Sequence, residues 1–141
     1  MSEAERNAIL LVEDDVSDQM LIKRAFAKAR MTNPITVVED GDAAVAHLQA
    51  GAHPRPALIL LDIKLPRRSG LEVLAWIRSD SPVKRIPVVM LTSSEESRDI
   101  AQAYELGANS YLSKPVDFEK LFELVRVLGL YWTVFNQPPP S

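Results

Sequence analysis

A chain of 141 residues, 47% hydrophobic and 25% charged, suits one globular domain with one core. A net charge of −3, with no basic run longer than a pair such as Arg67-Arg68, excludes strong electrostatic binding of nucleic acid. The absence of cysteine excludes disulfides, thiolate catalysis and Cys-ligated zinc.

No apolar run approaches the roughly 20 residues of a membrane helix. The acidic, polar start Met1-Ser2-Glu3-Ala4-Glu5-Arg6 is unlike a signal peptide, so a cytoplasmic location is expected. Ala8–Val12 is a short unbroken apolar run that ends in Glu13-Asp14-Asp15. Ser17 can cap a helix whose apolar stripe is Leu21, Ile22, Ala25, Phe26 and Ala29. Asn33-Pro34 breaks the chain, Ile35–Val38 reads as a strand, Asp40-Gly41 turns it, and 43–48 is a short helix. After a Gly- and Pro-rich loop at 51–56 comes the run 57–62, five apolar residues without alternation that stop at Asp62. Such a run marks a strand buried on both faces.

Pro66 and Gly70 shape the next loop, and Leu71, Val73, Leu74 and Ile77 give a third helix. A fourth buried strand spans 87–91 and finishes at Thr92-Ser93-Ser94, followed by a polar-faced helix over 95–106 that Gly107 stops. Ser110–Ser113 is a short fifth strand ending in Lys114-Pro115, and a last helix runs from Asp117 to the aromatic residues near Trp132. Five strictly alternating β-α pairs predict an α/β fold, a parallel sheet with helices on both faces. Right-handed crossovers then put every strand's carboxyl end on one edge, which in open α/β sheets is where ligands bind.

That edge collects Asp14, Asp15, Asp62, Thr92 and Lys114. Alone, each has a structural reading: an acid can cap the first helix, Thr92 suits a strand end, and Lys114 can be an exposed lysine. Together, three close carboxylates repel and raise one another's pKa unless a cation joins them. Mg²⁺ takes one or two carboxylates and keeps water or phosphate oxygens in its other positions. With a lysine and a hydroxyl beside it, the set describes a site for a tetrahedral oxyanion next to a metal, with Asp62 as a carboxylate nucleophile. Alternation along the chain turns Glu13 away from that site. His47 and His53 lack metal-ligand spacing.

In order and spacing, four segments resemble the motifs of a response-regulator receiver domain over about residues 7–131. They are Leu11-Val12-Glu13-Asp14-Asp15, Leu60-Leu61-Asp62-Ile63-Lys64-Leu65-Pro66-Arg67-Arg68-Ser69-Gly70, Val89-Met90-Leu91-Thr92-Ser93, and Gly107-Ala108-Asn109-Ser110-Tyr111-Leu112-Ser113-Lys114-Pro115. The resemblance implies a doubly wound, five-stranded sheet in the flavodoxin-like order 2-1-3-4-5. It implies that Asp62 accepts a phosphoryl group from the phosphohistidine of a histidine kinase. Asp15, Asp62 and the main-chain carbonyl of Lys64 would then bind Mg²⁺ directly, with Asp14 acting through water. Thr92 and Lys114 would bond the phosphoryl oxygens, and Tyr111 would be an aromatic switch that follows Thr92. Ser69 departs from the family, where many members carry Asp.

The 51–56 loop, Pro66-Arg67-Arg68, the 85–93 stretch and Leu130-Tyr131-Trp132-Thr133 look like stand-alone regulators of bacterial phytochrome kinases. No output domain fits before residue 7 or in the Pro-rich extension 132–141. Signalling is therefore expected through protein contacts or onward transfer to a histidine phosphotransfer protein. Two other readings compete. A phosphorylation-independent interaction module would not need all five site residues. A phosphohydrolase of the haloacid dehalogenase kind would need a second Asp where Lys64 stands.

In the last helix, Phe118, Leu121, Phe122, Val125 and Leu128 share the face that packs on the sheet. Leu124, Val127 and Tyr131 form a second stripe, read as the interface of an isologous homodimer.

Overall fold

The computed structural model describes residues 8–28, 33–51, 55–93, 97–117, 119–121 and 123. Its elements are β1 (Ala8–Val12), α1 (Val16–Lys28), β2 (Ile35–Val38), α2 (Gly41–Gln49), β3 (Pro56–Asp62), α3 (Gly70–Asp80), β4 (Val88–Thr92), α4 (Ser97–Glu105) and β5 (Ser110–Ser113). All strand pairs are parallel and the order is β2-β1-β3-β4-β5. This is the doubly wound order that the family resemblance implies. The proposed dimer stripe and the 132–141 extension lie outside the described residues.

The unbroken apolar runs follow from a sheet covered on both faces. Leu10 and Val12, Ile59 and Leu61, and Val88 and Met90 enter one core with α2, α3 and Ala103 of α4. Their neighbours Ile9 and Leu11, Leu58 and Leu60, and Val89 and Leu91 enter a second core with Ile22, Ala25 and Phe26 of α1 and with Leu121. Strand residues alternate sides, so a strand feeding two cores has no polar side to show. Leu21, counted in the first apolar stripe, is instead 39% exposed.

Two helix starts are fixed by caps that also shape the site. Ser69 accepts from the Glu72 N–H and starts α3, with Glu72 placed as in a capping box. Serine and aspartate are both good caps, which explains why the departure at Ser69 is tolerated. Asp40 accepts from the Ala43 N–H at 2.7 Å and starts α2 at Gly41, earlier than the turn expected there. The Gly41 N–H donates to the Pro66 carbonyl at 3.3 Å, and ion pairs join Arg68 to Asp42 and Arg67 to Asp40. The basic pair is thus engaged with α2, and the start of α2 clamps the loop that follows Asp62.

Candidate functional site

The register assembles the site from four strand ends. Val12 lies beside Leu61, so the next residue, Glu13, is level with Asp62. Asp62 lies beside Leu91 and Thr92 beside Ser113, with Lys114 one residue beyond. Asp62 and Thr92 are the last residues of their strands and are 5% and 2% exposed. The Lys114 N–H donates to the Thr92 carbonyl at 2.9 Å.

The Lys114 ammonium donates to Asp62 Oδ2 at 2.9 Å and to Asp18 Oδ2 at 3.1 Å, and it is paired with Glu13 Oε1. Burial alone would lower its pKa, but the hydrogen bonds to Glu13 and Asp62 outweigh that and raise it, so it is a fixed cation. The other oxygen of Asp62 accepts from the Lys64 N–H at 3.2 Å. The Asp62 carboxylate is therefore held at both oxygens.

Glu13 corrects the sequence reading. It was expected to face away, yet it is fully buried and contacts Lys114. Alternation in register places Glu13 on the face of Leu11, which is also the face of Leu60 and so of Asp62, one residue past the end of β1 at Val12. Beyond it, the Glu13 N–H still bonds to the Val38 carbonyl while its own carbonyl accepts from Gln19 Nε2 at 2.8 Å. Glu13, Asp14 and Asp62 each offer a carboxylate oxygen within 4.8 Å of the others. Asp15, expected as a direct ligand, lies outside this trio. Its Oδ1 accepts from the Asp18 N–H at 3.0 Å, the work of a helix cap. Three hard oxygen donors, two buried and one (Asp14) exposed, suit a small divalent cation that keeps an open side for other oxygens.

Glu13, Asp18 and Gln19 were not identified from the sequence. An acid in the first turn of a helix is ordinarily a partner of the helix dipole, and no local signal ties Asp18 to a lysine 96 positions away. Tyr111 sits on β5 beside Met90, diagonal to Thr92 on the same sheet face, and is 37% exposed.

Burial raises the Glu13 carboxyl from 4.5 to about 7, with Lys114 pulling the other way. A carboxyl raised in the fold contributes stability fully below about 4.5 and loses it as pH rises through about 7. The metal-free protein should therefore lose stability across that window, by at most roughly 3 kcal/mol. Glu13→Gln should flatten the dependence, as read from urea midpoints. A cation binds the ionised carboxylate, so its affinity should rise with pH through the same window. An affinity independent of pH would place Glu13 outside the donor set.

The family described as the response regulator receiver domain matches residues 9–126. Response regulator Rcp1 of Synechocystis sp. is 41% identical over 128 residues, covering 88% of this chain and 87% of that one. The Mn²⁺-bound form of Rcp1 superposes with a TM-score of 0.75 at 38% identity, over 96% of this chain and 99% of that one. The bacteriophytochrome response regulator RtBRR superposes at 0.80 with 45% identity, over 95% and 84%. The phosphorylated cyanobacterial phytochrome response regulator RcpA superposes at 0.75 with 41% identity, over 89% and 93%. Among the described residues no helix is long and apolar enough to cross a membrane.

Proposed function

We propose that Asp62 is a phosphoacceptor, from the premise that the chain belongs to the response-regulator receiver family, which matches residues 9–126. The observation that carries the proposal is the Lys114 ammonium 2.9 Å from Asp62 Oδ2, at the carboxyl end of the central strand and beside an acidic trio. The donor is the phosphohistidine of a histidine kinase. An Asp62 oxygen attacks phosphorus, an O–P bond forms, the N–P bond breaks, and the electron pair leaves on the kinase imidazole. Lys114 and the Thr92 hydroxyl bond the phosphoryl oxygens.

Glu13, Asp14, Asp62 and the main-chain carbonyl of Lys64 would hold Mg²⁺, which when bound would supply positive charge beside the transferring group and between the three carboxylates. Asp15 serves as the cap of α1. The new dianion draws Thr92 inward and leaves room for the Tyr111 ring, a switch between two packed arrangements. The ATP-fed donor implies a cytoplasmic location.

The sensor is read as a bacteriophytochrome-type kinase because RtBRR and RcpA carry that association in their names. Output runs through the switched face or by onward transfer to a histidine phosphotransfer protein. Incubation with such a kinase, autophosphorylated beforehand, tests the reading. Wild type should gain one phosphoryl group, which borohydride reduction and peptide mapping should place on Asp62. Label on any other residue would overturn it.

Residues 7–131 are read as the receiver domain and 132–141 as an extension. On the sequence pattern, Leu124, Val127 and Tyr131 are read as a homodimer stripe, since a helix over a sheet would need only one buried face. Each large side chain buried there contributes about 1.5–3 kcal/mol. Leu124→Glu with Val127→Lys should sediment as a monomer that still accepts phosphate. A wild type that is monomeric at high micromolar concentration, phosphorylated or not, would rule the dimer out.

A further inference from the structure

Tyr104 stands in the last turn of α4 and is 46% exposed, although its neighbour Ala103 is buried in the core at 1%. The burial of Ala103 fixes the rotation of the helix and leaves Tyr104 about 100° round it. There its ring meets that of Tyr111 edge to face, with centroids 6.1 Å apart and planes at 81°. The turn between them is tied down. The Gly107 N–H donates to the Tyr104 carbonyl at 3.1 Å, the Ala108 N–H to Ala103 at 2.9 Å and the Asn109 N–H to Val88 at 2.9 Å. Arg78 also donates to the Gly107 carbonyl at 2.9 Å and to Asn109 Oδ1 at 2.8 Å. The two rings therefore hang from a rigid frame, and Tyr111 lies on an edge strand with a sheet neighbour on one side only.

We propose that Tyr104 is a positioning residue that holds the Tyr111 ring in its outward orientation, so that the ring must leave Tyr104 before it moves toward Thr92. This rests on reading Tyr111 as the switch. The contact acts through the ring edge and face, not the hydroxyls, because an aromatic quadrupole favours the T-shaped arrangement. An aromatic pair of this kind biases a two-state equilibrium about two- to tenfold. Tyr104 thereby sets how much of the population is already switched before any phosphoryl group arrives.

The test is fluorine NMR of protein labelled with 3-fluorotyrosine, with the Tyr111 signal identified by its loss in Tyr111→Phe. Wild type, Tyr104→Ala and Tyr104→Phe are compared with and without beryllofluoride and Mg²⁺. In Tyr104→Ala the unliganded Tyr111 signal should move part of the way to its beryllofluoride position. The half-saturating beryllofluoride concentration should fall about two- to tenfold. Tyr104→Phe keeps the ring and should match wild type. If wild-type Tyr111 shifts with beryllofluoride but Tyr104→Ala has the wild-type position and midpoint, Tyr104 does not hold the ring and the proposal alone fails. If wild-type Tyr111 does not shift at all, the switch reading fails and takes the proposal with it.

Discussion

Asp62→Asn is expected to give a folded protein that incorporates no phosphoryl group from kinase or small-molecule donor. The amide keeps the shape of the carboxylate but not its anionic nucleophile. Stability should not suffer without metal. Glu13, Asp18 and Asp62 pair with one ammonium and Asp14 lies beside two of them, so the substitution removes one of four neighbouring acids while Lys114 keeps Glu13 and Asp18 as partners. The metal-free variant should melt no lower than wild type. Its gain from millimolar Mg²⁺ should shrink, because a hard cation loses affinity with each lost carboxylate. Phosphate incorporation and thermal scans with and without Mg²⁺ report both effects. Labelling equal to wild type would remove Asp62 from its role.

Gly70→Ala should damage both fold and chemistry, because Gly70 packs directly on the backbone of Asp62, the proposed acceptor. A β-carbon there would stand 2.0 Å from the Asp62 carbonyl oxygen and 2.8 Å from Ile63 Cα. The Gly70 N–H also bonds to the Ile63 carbonyl at 2.8 Å, so the helix start cannot slide away freely. Overpacking in general costs about 1–3 kcal/mol, and a clash with backbone cannot be relieved by a new rotamer, so the upper end is expected. A displacement of the acceptor by about 1 Å would slow phosphorylation on the order of a hundredfold. Gly51→Ala is the control. Gly51 has a φ of 76° with open space around it, so the cost there is conformational, roughly 1–2 kcal/mol, and labelling should persist. Urea midpoints and initial labelling rates separate the two. A Gly70→Ala protein that labels at the wild-type rate would show that the acceptor is not held from this side.

The sheet was legible because its cause is local. A strand that feeds two cores must be apolar at consecutive positions, and Ala8–Val12 and the run ending at Asp62 carry that mark in every residue. Helix starts were less sharp. Ser69 and Asp40 each cap, but Asp40-Gly41 also reads as a turn, and only the contact of Gly41 with the 66–68 loop shows why α2 begins there. Thr92 reads as lying just past β4 but belongs to it, since Thr92 and Ser113 are paired.

The sequence by itself determined the α/β alternation and the strand-end positions of Asp62, Thr92 and Lys114, because hydrophobic period and chain breaks are properties of neighbouring residues. Which acids join Asp62 was decided only by the tertiary structure. Among Glu13, Asp14 and Asp15, three adjacent residues of like charge, nothing local ranks one above another. The parallel register sets position 13 level with Asp62. The buried ammonium of Lys114 supplies the counter-charge that makes it tolerable to bury Glu13. The helix start then takes Asp15 for its own unpaired N–H.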